Sequence, residues 1–244
     1  MHLHEWKKVA LSERGADLLN ALSERVVVAD GAMGTMLQER KPTLEDFQGH
    51  EGCNEILNIT RPDIVIDVHN AYFEAGVDCV ETNTFGANWS NLSDYGIDDR
   101  IQELARAGAE LARKSADSFT AKDGKQRWVL GSMGPGTKLP TLGHTSYSHL
   151  LETFKLQALG LIEGGADAFM VETSQDLLQT KAAVNACRKA VVESGIRLPL
   201  FVEVTVETTG TMLLGTEIGA ALTTLEPLGI DMIGLNCATG PAEM

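Results

Sequence analysis

One short phrase recurs three times and constrains the fold more than any other feature: a glycine, an apolar or small residue, an aspartate, then an apolar run. It occurs as Gly76-Val77-Asp78, Gly165-Ala166-Asp167 and Gly229-Ile230-Asp231. Glycine reaches the left-handed conformation that stops a helix, so the phrase reads as a helix end feeding a strand. Apolar runs suited to strands stand at 26–29, 79–81, 128–130, 168–171, 200–206 and 232–235, separated by longer stretches with helical periodicity. That order builds a parallel sheet covered by helices.

The helical stretches carry their own signals. Thr60-Arg61-Pro62-Asp63 has capping-box spacing ahead of Ile64, Val68, Ala71 and Ala75, and Leu150, Phe154, Leu161 and Ile162 draw an apolar stripe. A chain of 244 residues suffices for one α/β barrel, a fold of about 250 residues. The expected organisation is an N-terminal extension over 1–25 and a TIM-type (β/α)8 barrel over 26–244. Six strand runs are found where a closed barrel needs eight, and the sequence stops where another helix would start. The expectation is therefore a barrel truncated after about the sixth strand, with open sheet edges prone to self-association.

Composition excludes several classes of partner. The 34 acidic residues against 20 lysines and arginines give a formal net charge of −14, which repels nucleic-acid phosphates. No apolar run approaches the ~20 residues of a membrane span, and the first 22 residues mix charges with apolar residues, unlike a signal peptide. Cys53, Cys79, Cys187 and Cys237 show neither CxxC spacing nor a dense secreted pattern, which fits a reducing cytoplasm.

Long polar or Gly/Pro-bearing stretches at 38–59 and 133–147 follow strands, whereas returns from helix to strand are short, so function is expected on the strand-exit side. There the runs end in Asp30-Gly31-Ala32-Met33-Gly34-Thr35, Glu81-Thr82-Asn83-Thr84, Gly131-Ser132-Met133-Gly134-Pro135-Gly136, Glu172-Thr173-Ser174-Gln175-Asp176, Glu207-Thr208-Thr209 and Asn236-Cys237. In a barrel, Asp30, Glu81, Ser132, Glu172, Glu207 and Cys237 then share one mouth. Asp30 suits a ligand's ammonium, and the bare backbone around Gly31 and Gly34 its carboxylate; the same residues can equally form a capped turn. Glu81 and Glu172 fit either a cation site or a satisfied hydrogen-bond network. Alone, Cys237 reads as a small buried hydrophobe, and the other three cysteines as structural. His69 reads as a core-edge residue, His2 and His4 as metal-like spacing on a terminus, and His144 and His149 as minor contacts near a mouth loop.

Together these endings resemble the homocysteine S-methyltransferase family. The segment from Asp30 to Thr35, Glu81-Thr82-Asn83-Thr84-Phe85-Gly86-Ala87-Asn88, Gly131-Ser132-Met133-Gly134-Pro135 and Gly234-Leu235-Asn236-Cys237 stand in the family's order from Val26 onward. The stretches 204–216 and Asn236-Cys237-Ala238-Thr239-Gly240-Pro241 look more like the cobalamin-dependent branch than the betaine-dependent one. The resemblance implies a barrel that binds L-homocysteine, activates its sulfur on zinc and methylates it to methionine. It implies Cys237 as the catalytic zinc ligand, working with a cysteine pair of the Gly-Gly-Cys-Cys-Gly-Thr kind that this sequence lacks. Zinc is accordingly expected to be weak here, and methyl transfer by this chain alone absent. Asp30 and Glu172 are implied as binders of the homocysteine ammonium, Gly31, Ala32 and Met33 as neighbours of its carboxylate, and Glu81, Asn83, Ser132 and Glu207 as further mouth residues. The implied methyl donor is methylcobalamin on a cobalamin-binding module, recharged through a folate-binding module. Rival readings change the donor to betaine or S-methylmethionine, place magnesium among Glu81, Glu172 and Glu207 as in a carbon–carbon lyase, or leave a homocysteine-binding fragment without turnover.

Overall fold

Helices and strands alternate along the chain in the computed structural model, which describes residues 5–240, 242 and 244. Helices α1 (Glu13–Glu24), α2 (Met33–Glu39), the single turn α3 (Leu57–Thr60) and α4 (Pro62–Ala75) precede β1 (Cys79–Glu81). The one-turn α5 (Trp89–Leu92) and the long α6 (Ile101–Asp123) lead to β2 (Trp128–Met133). Then come α7 (Tyr147–Glu163), β3 (Ala168–Ser174), α8 (Leu177–Ser194), β4 (Leu200–Val204), α9 (Ile218–Leu225) and β5 (Met232–Leu235). The strands form one sheet in the order β1-β2-β3-β4-β5, every pair parallel. This is the winding of an α/β barrel, but among the described residues the sheet is open, five strands being too few for closure into a (β/α)8 ring. His2, His4 and part of the helix start expected at 241–244 lie outside the described residues.

The Gly-x-Asp phrases account for how the strands begin. Gly76, Gly165 and Gly229 have φ of 100°, 87° and 68°, the left-handed region that ends the preceding helical turn. Each aspartate then locks onto the neighbouring strand segment. Asp78 N–H donates to Val28 O at 2.8 Å while its carboxylate accepts from Val28 N–H at 2.9 Å. Asp167 makes the same reciprocal pair with Val129, at 2.8 Å both ways, and Asp231 with Leu200, again at 2.8 Å both ways. Three copies of one residue phrase thus set the register of three neighbouring segments at the strand-entry end.

Side chains alternate across the sheet with the two-residue period of a strand. Val80, Val129, Phe169, Val171, Val202 and Val204 point to the helical layer. Cys79, Trp128, Leu130, Ala168, Met170 and Phe201 form a second cluster on the other face, where Leu18 of α1, 1% exposed, packs against them. The segment ahead of Val26 therefore contributes to the core, and Ser12 caps its helix by accepting from Gly15 N–H at 3.1 Å.

Three local expectations are corrected. The run at 26–29 makes only the bridge Ala29–Cys79, because it has β1 on one side and Asp78 in place of a ladder partner; Val26 and Val28 stay exposed. Thr60 does not cap α4: it ends α3 and donates to Ile56 O at 3.2 Å, while Arg61 holds the cap position and Pro62 sits where its missing N–H costs nothing. His69 lies fully buried rather than at the core edge. The stripe of Leu150, Phe154, Leu161 and Ile162 is buried along α7 as expected.

Candidate functional site

Because strand side chains alternate, the inner-face rows that begin with Cys79, Leu130, Met170 and Phe201 continue upward to Glu81, Ser132, Glu172 and Glu203. These four open into a cavity of about 580 Å³ at the strand-exit end. Asp30, Gly31, Ala32, Met33, Asn83 and Cys237 line it too, so nine of the ten residues singled out as site candidates are brought together with Glu81, Ser132 and Glu172 among them. Glu207 is not. The β4 ladder stops at Val204, and Glu207 enters a turn in which its N–H donates to Thr211 O at 2.9 Å. Glu203, two residues beyond inward-facing Phe201, takes the place on the wall instead. Its parity with Phe201 is the signal that locates it.

Ser132 is held by a closed ring of hydrogen bonds. Its N–H donates to Thr82 Oγ1 at 3.0 Å, and Thr84 Oγ1 donates to Ser132 O at 2.7 Å. Thr84 has spent its only proton there, so Thr82 is the donor in the 2.6 Å contact between the two threonine hydroxyls. Ser132 Oγ is then aimed at Glu172 Oε1, 2.5 Å away, while Asn236 Nδ2 donates to Glu172 Oε2 at 3.1 Å. Asn83, by contrast, spends its amide protons on Asn54 O and Asn58 Oδ1, at 2.8 and 2.9 Å, and serves the wall of the cavity.

Five acidic side chains line the cavity, Asp30, Glu55, Glu81, Glu172 and Glu203, and among the described residues no lysine or arginine does. Burial pushes Asp30 up to about 7, even though its Oδ1 accepts from Glu81 N–H at 2.8 Å; its Oδ2 is buried with no partner. Burial likewise raises Glu203 to about 7, with the Glu172 charge adding to it. Glu81 is raised by burial and then by the charges of Glu172, Asp30 and Glu203. Glu172 is raised by burial and drawn back by its donors, Ser132 first. Glu55 stands apart, raised by burial but accepting from Gly86 N–H at 2.7 Å and from the Cys53 thiol at 3.6 Å. Nothing in the long segment 38–59 marks it beforehand as part of the wall.

Cys237 stands exposed at the rim with φ of 57°, next to Ala238 at 53° and across from Thr173 at 54°. Non-glycine residues in this region cost on the order of 1–3 kcal/mol each and gather at functional sites. The histidines lie elsewhere: burial lowers His69 to about 4, His144 Nδ1 accepts from Leu139 N–H at 3.2 Å, and His149 meets the Trp89 ring edge-on at 4.3 Å. Among the described residues no three His, Cys, Asp or Glu side chains are grouped to hold a metal ion, and the other cysteines are buried away from Cys237. One thiolate does not make a tetrahedral zinc site, so the residues present do not fit zinc by themselves.

The fold is thus a parallel α/β sheet with an acidic cavity at its strand-exit end, the end at which α/β-barrel enzymes carry their sites. Residues 27–244 match the model of the homocysteine S-methyltransferase family, and the chain belongs to that family. It is 64% identical over 228 residues to the methionine synthase of Mycobacterium tuberculosis and, to the same extent, to that of Mycobacterium leprae. The match takes in 93% of this chain but only 19% of either relative's length. Among solved structures, the apo form of the homocysteine methyltransferase MmuM from Escherichia coli shares the fold, with a TM-score of 0.71 at 21% identity over 93% of this chain and 78% of that one.

Proposed function

We propose that the chain is the homocysteine-binding, methyl-accepting region of a methionine synthase. The observation that carries this reading is the buried, partnerless Asp30 Oδ2 standing with Glu172 in a cavity that supplies no cation of its own. The ammonium of an amino acid brings the donors and the charge that these carboxylates lack, and its arrival offsets the burial that raises Asp30. Ala32 and Met33, where α2 begins, line the same cavity, and their amides suit the amino acid's carboxylate. Ser132 and Asn236 orient Glu172 for its share of the ammonium. The kinship to the mycobacterial methionine synthases supports homocysteine as that amino acid.

The chemistry then requires the homocysteine sulfur to attack as thiolate, since a thiol with a reference pKa near 8.5 is mostly protonated at neutral pH. The S–CH3 bond forms as the donor's bond to the methyl group breaks. Cys237 lines the cavity, and in this reading it stands at the end that receives the sulfur. Zinc is the metal the family implies, but because Cys237 alone does not make its site, no step is derived through it. The proposed donor is methylcobalamin on a cobalamin-binding module, recharged through a folate-binding module, both in a longer protein of which this chain would be one part. The four free cysteines suit a reducing cytoplasm, and no helix among the described residues is long and apolar enough to cross a membrane.

Calorimetric titration under reducing conditions tests the reading. L-Homocysteine is expected to bind at least about tenfold more tightly than 4-mercaptobutanoate, which has the same thiol and carboxylate but no amino group. Equal affinities, or no binding of L-homocysteine, would overturn it.

A further inference from the structure

The exit ends of β3 and β5 meet in a bracket built on Asn236. Its Oδ1 accepts from Thr173 N–H at 3.0 Å, and its Nδ2 donates both to Thr173 Oγ1 at 3.1 Å and to Glu172 Oε2 at 3.1 Å. Its main chain is fastened as well, by Thr205 Oγ1 donating to its carbonyl at 3.1 Å. Thr173 has φ of 54° in the β3 irregularity between Val171 and Ser174, a conformation that a β-branched residue adopts only under constraint. Its consequence is local: the hydroxyl turns to within 3.5 Å of Cys237 Sγ, itself on a left-handed residue.

An amide nitrogen can only donate, so Thr173 Oγ1 is the acceptor towards Asn236. The threonine hydroxyl stands between the Glu172 carboxylate and Cys237 Sγ and meets the sulfur at 3.5 Å.

We propose that Thr173 is a positioning residue for Cys237, its hydroxyl meeting Sγ and fixing the sulfur at the cavity rim, with Asn236 holding Thr173 and Glu172 through one amide group. The functional meaning rests on the homocysteine reading: an amino acid held at Glu172 then has its own sulfur at a set reach from Cys237. Strain at Thr173 is what this placement requires, since an ordinary extended residue there would carry its side chain away from β5.

NMR of the ligand-free chain tests the placement without relying on homocysteine. The Hα–Hβ couplings of Cys237 are expected to be those of a single staggered rotamer in the wild type and in Thr173→Ser, which keeps the hydroxyl. Thr173→Val keeps the β-branched shape, loses only the hydroxyl, and is expected to give rotamer-averaged couplings, as is Asn236→Ala. In a parallel titration with L-homocysteine, Asn236→Ala should weaken binding about tenfold through Glu172. A wild-type coupling pattern in Thr173→Val, or averaging in Thr173→Ser as complete as in Thr173→Val, would overturn the proposal. Failure of the wild type to bind homocysteine would instead overturn the proposed function, and the coupling patterns would still decide the role of Thr173.

Discussion

At the strand-entry end of the sheet, Asp78, Asp167 and Asp231 each accept from a neighbouring backbone N–H, and Arg25 neutralises the first of them while Arg14 and Arg113 neutralise the second. At the exit end, Asp30, Glu81, Glu172 and Glu203 crowd one cavity that no lysine or arginine lines among the described residues. The pKa directions follow. Arg25 holds Asp78 below the usual carboxylate range, whereas burial lifts Asp30 to about 7. Carboxyl groups at the first end are consumed in joining strands; at the second they face no lysine or arginine among the described residues.

The largest effect is expected at the entry end. Asp167→Ala leaves Val129 N–H without an acceptor and the buried Arg113 with only the exposed Asp117 as its ion-pair partner, which should cost about 2–4 kcal/mol in urea unfolding. A loss below about 1 kcal/mol would mean that the reciprocal aspartate pairs are not what joins the strands.

The exit end should answer in the opposite way. Asp30→Asn and Glu172→Gln are each expected to weaken L-homocysteine binding by about tenfold or more, as loss of a charge-assisted bond worth ~1.5–3 kcal/mol implies, without lowering the unfolding free energy of the Asp30 variant. Unchanged affinity in both variants would remove them from the binding site.

The two ends should also differ in the sign of their pH dependence. Asp30 and Glu203 have folded values of about 7, above their unfolded values near 4, so their contribution is complete below about pH 4 and is lost as pH rises through about 7. Asp78, lowered in the fold, contributes above its unfolded value and loses that contribution as pH falls. In Asp30→Asn/Glu203→Gln, the decline in stability between about pH 4 and 7 should therefore flatten, by up to about 1.4 kcal/mol per pH unit and group. An identical slope in wild type and variant would contradict the assignment. The smallest effect belongs to Glu207, outside the cavity: Glu207→Gln should leave homocysteine affinity within about twofold of wild type.

How much of this could be read from residues alone depends on the range over which each feature is decided. The glycine stops and the α7 stripe are local, and the chain order of the strands carries Asp30, Glu81, Ser132 and Glu172 to one end. The second half of each Gly-x-Asp phrase is not local, because the N–H that the carboxylate accepts comes from a segment 31 to 50 residues away. Residues 26–29 have strand composition, yet strand status depends on neighbours that composition does not specify. Glu203 was within reach through its parity with Phe201, but the expected run extended to 206 and drew attention to Glu207 beyond it. The spent amide of Asn83 could not be read, since its partners lie 25 and 29 residues away.

The central claim is that the exit-end carboxylates are kept free for a cation that the protein does not itself supply. The most direct measurement is the pH titration of the Asp30 carboxyl carbon by NMR, with and without saturating L-homocysteine. The account predicts a midpoint near 7 in the free chain and a clear fall when the ligand is bound, because an ammonium beside Asp30 favours its ionised form. A midpoint near 4 in the free chain, or one near 7 that L-homocysteine leaves unmoved, would contradict it.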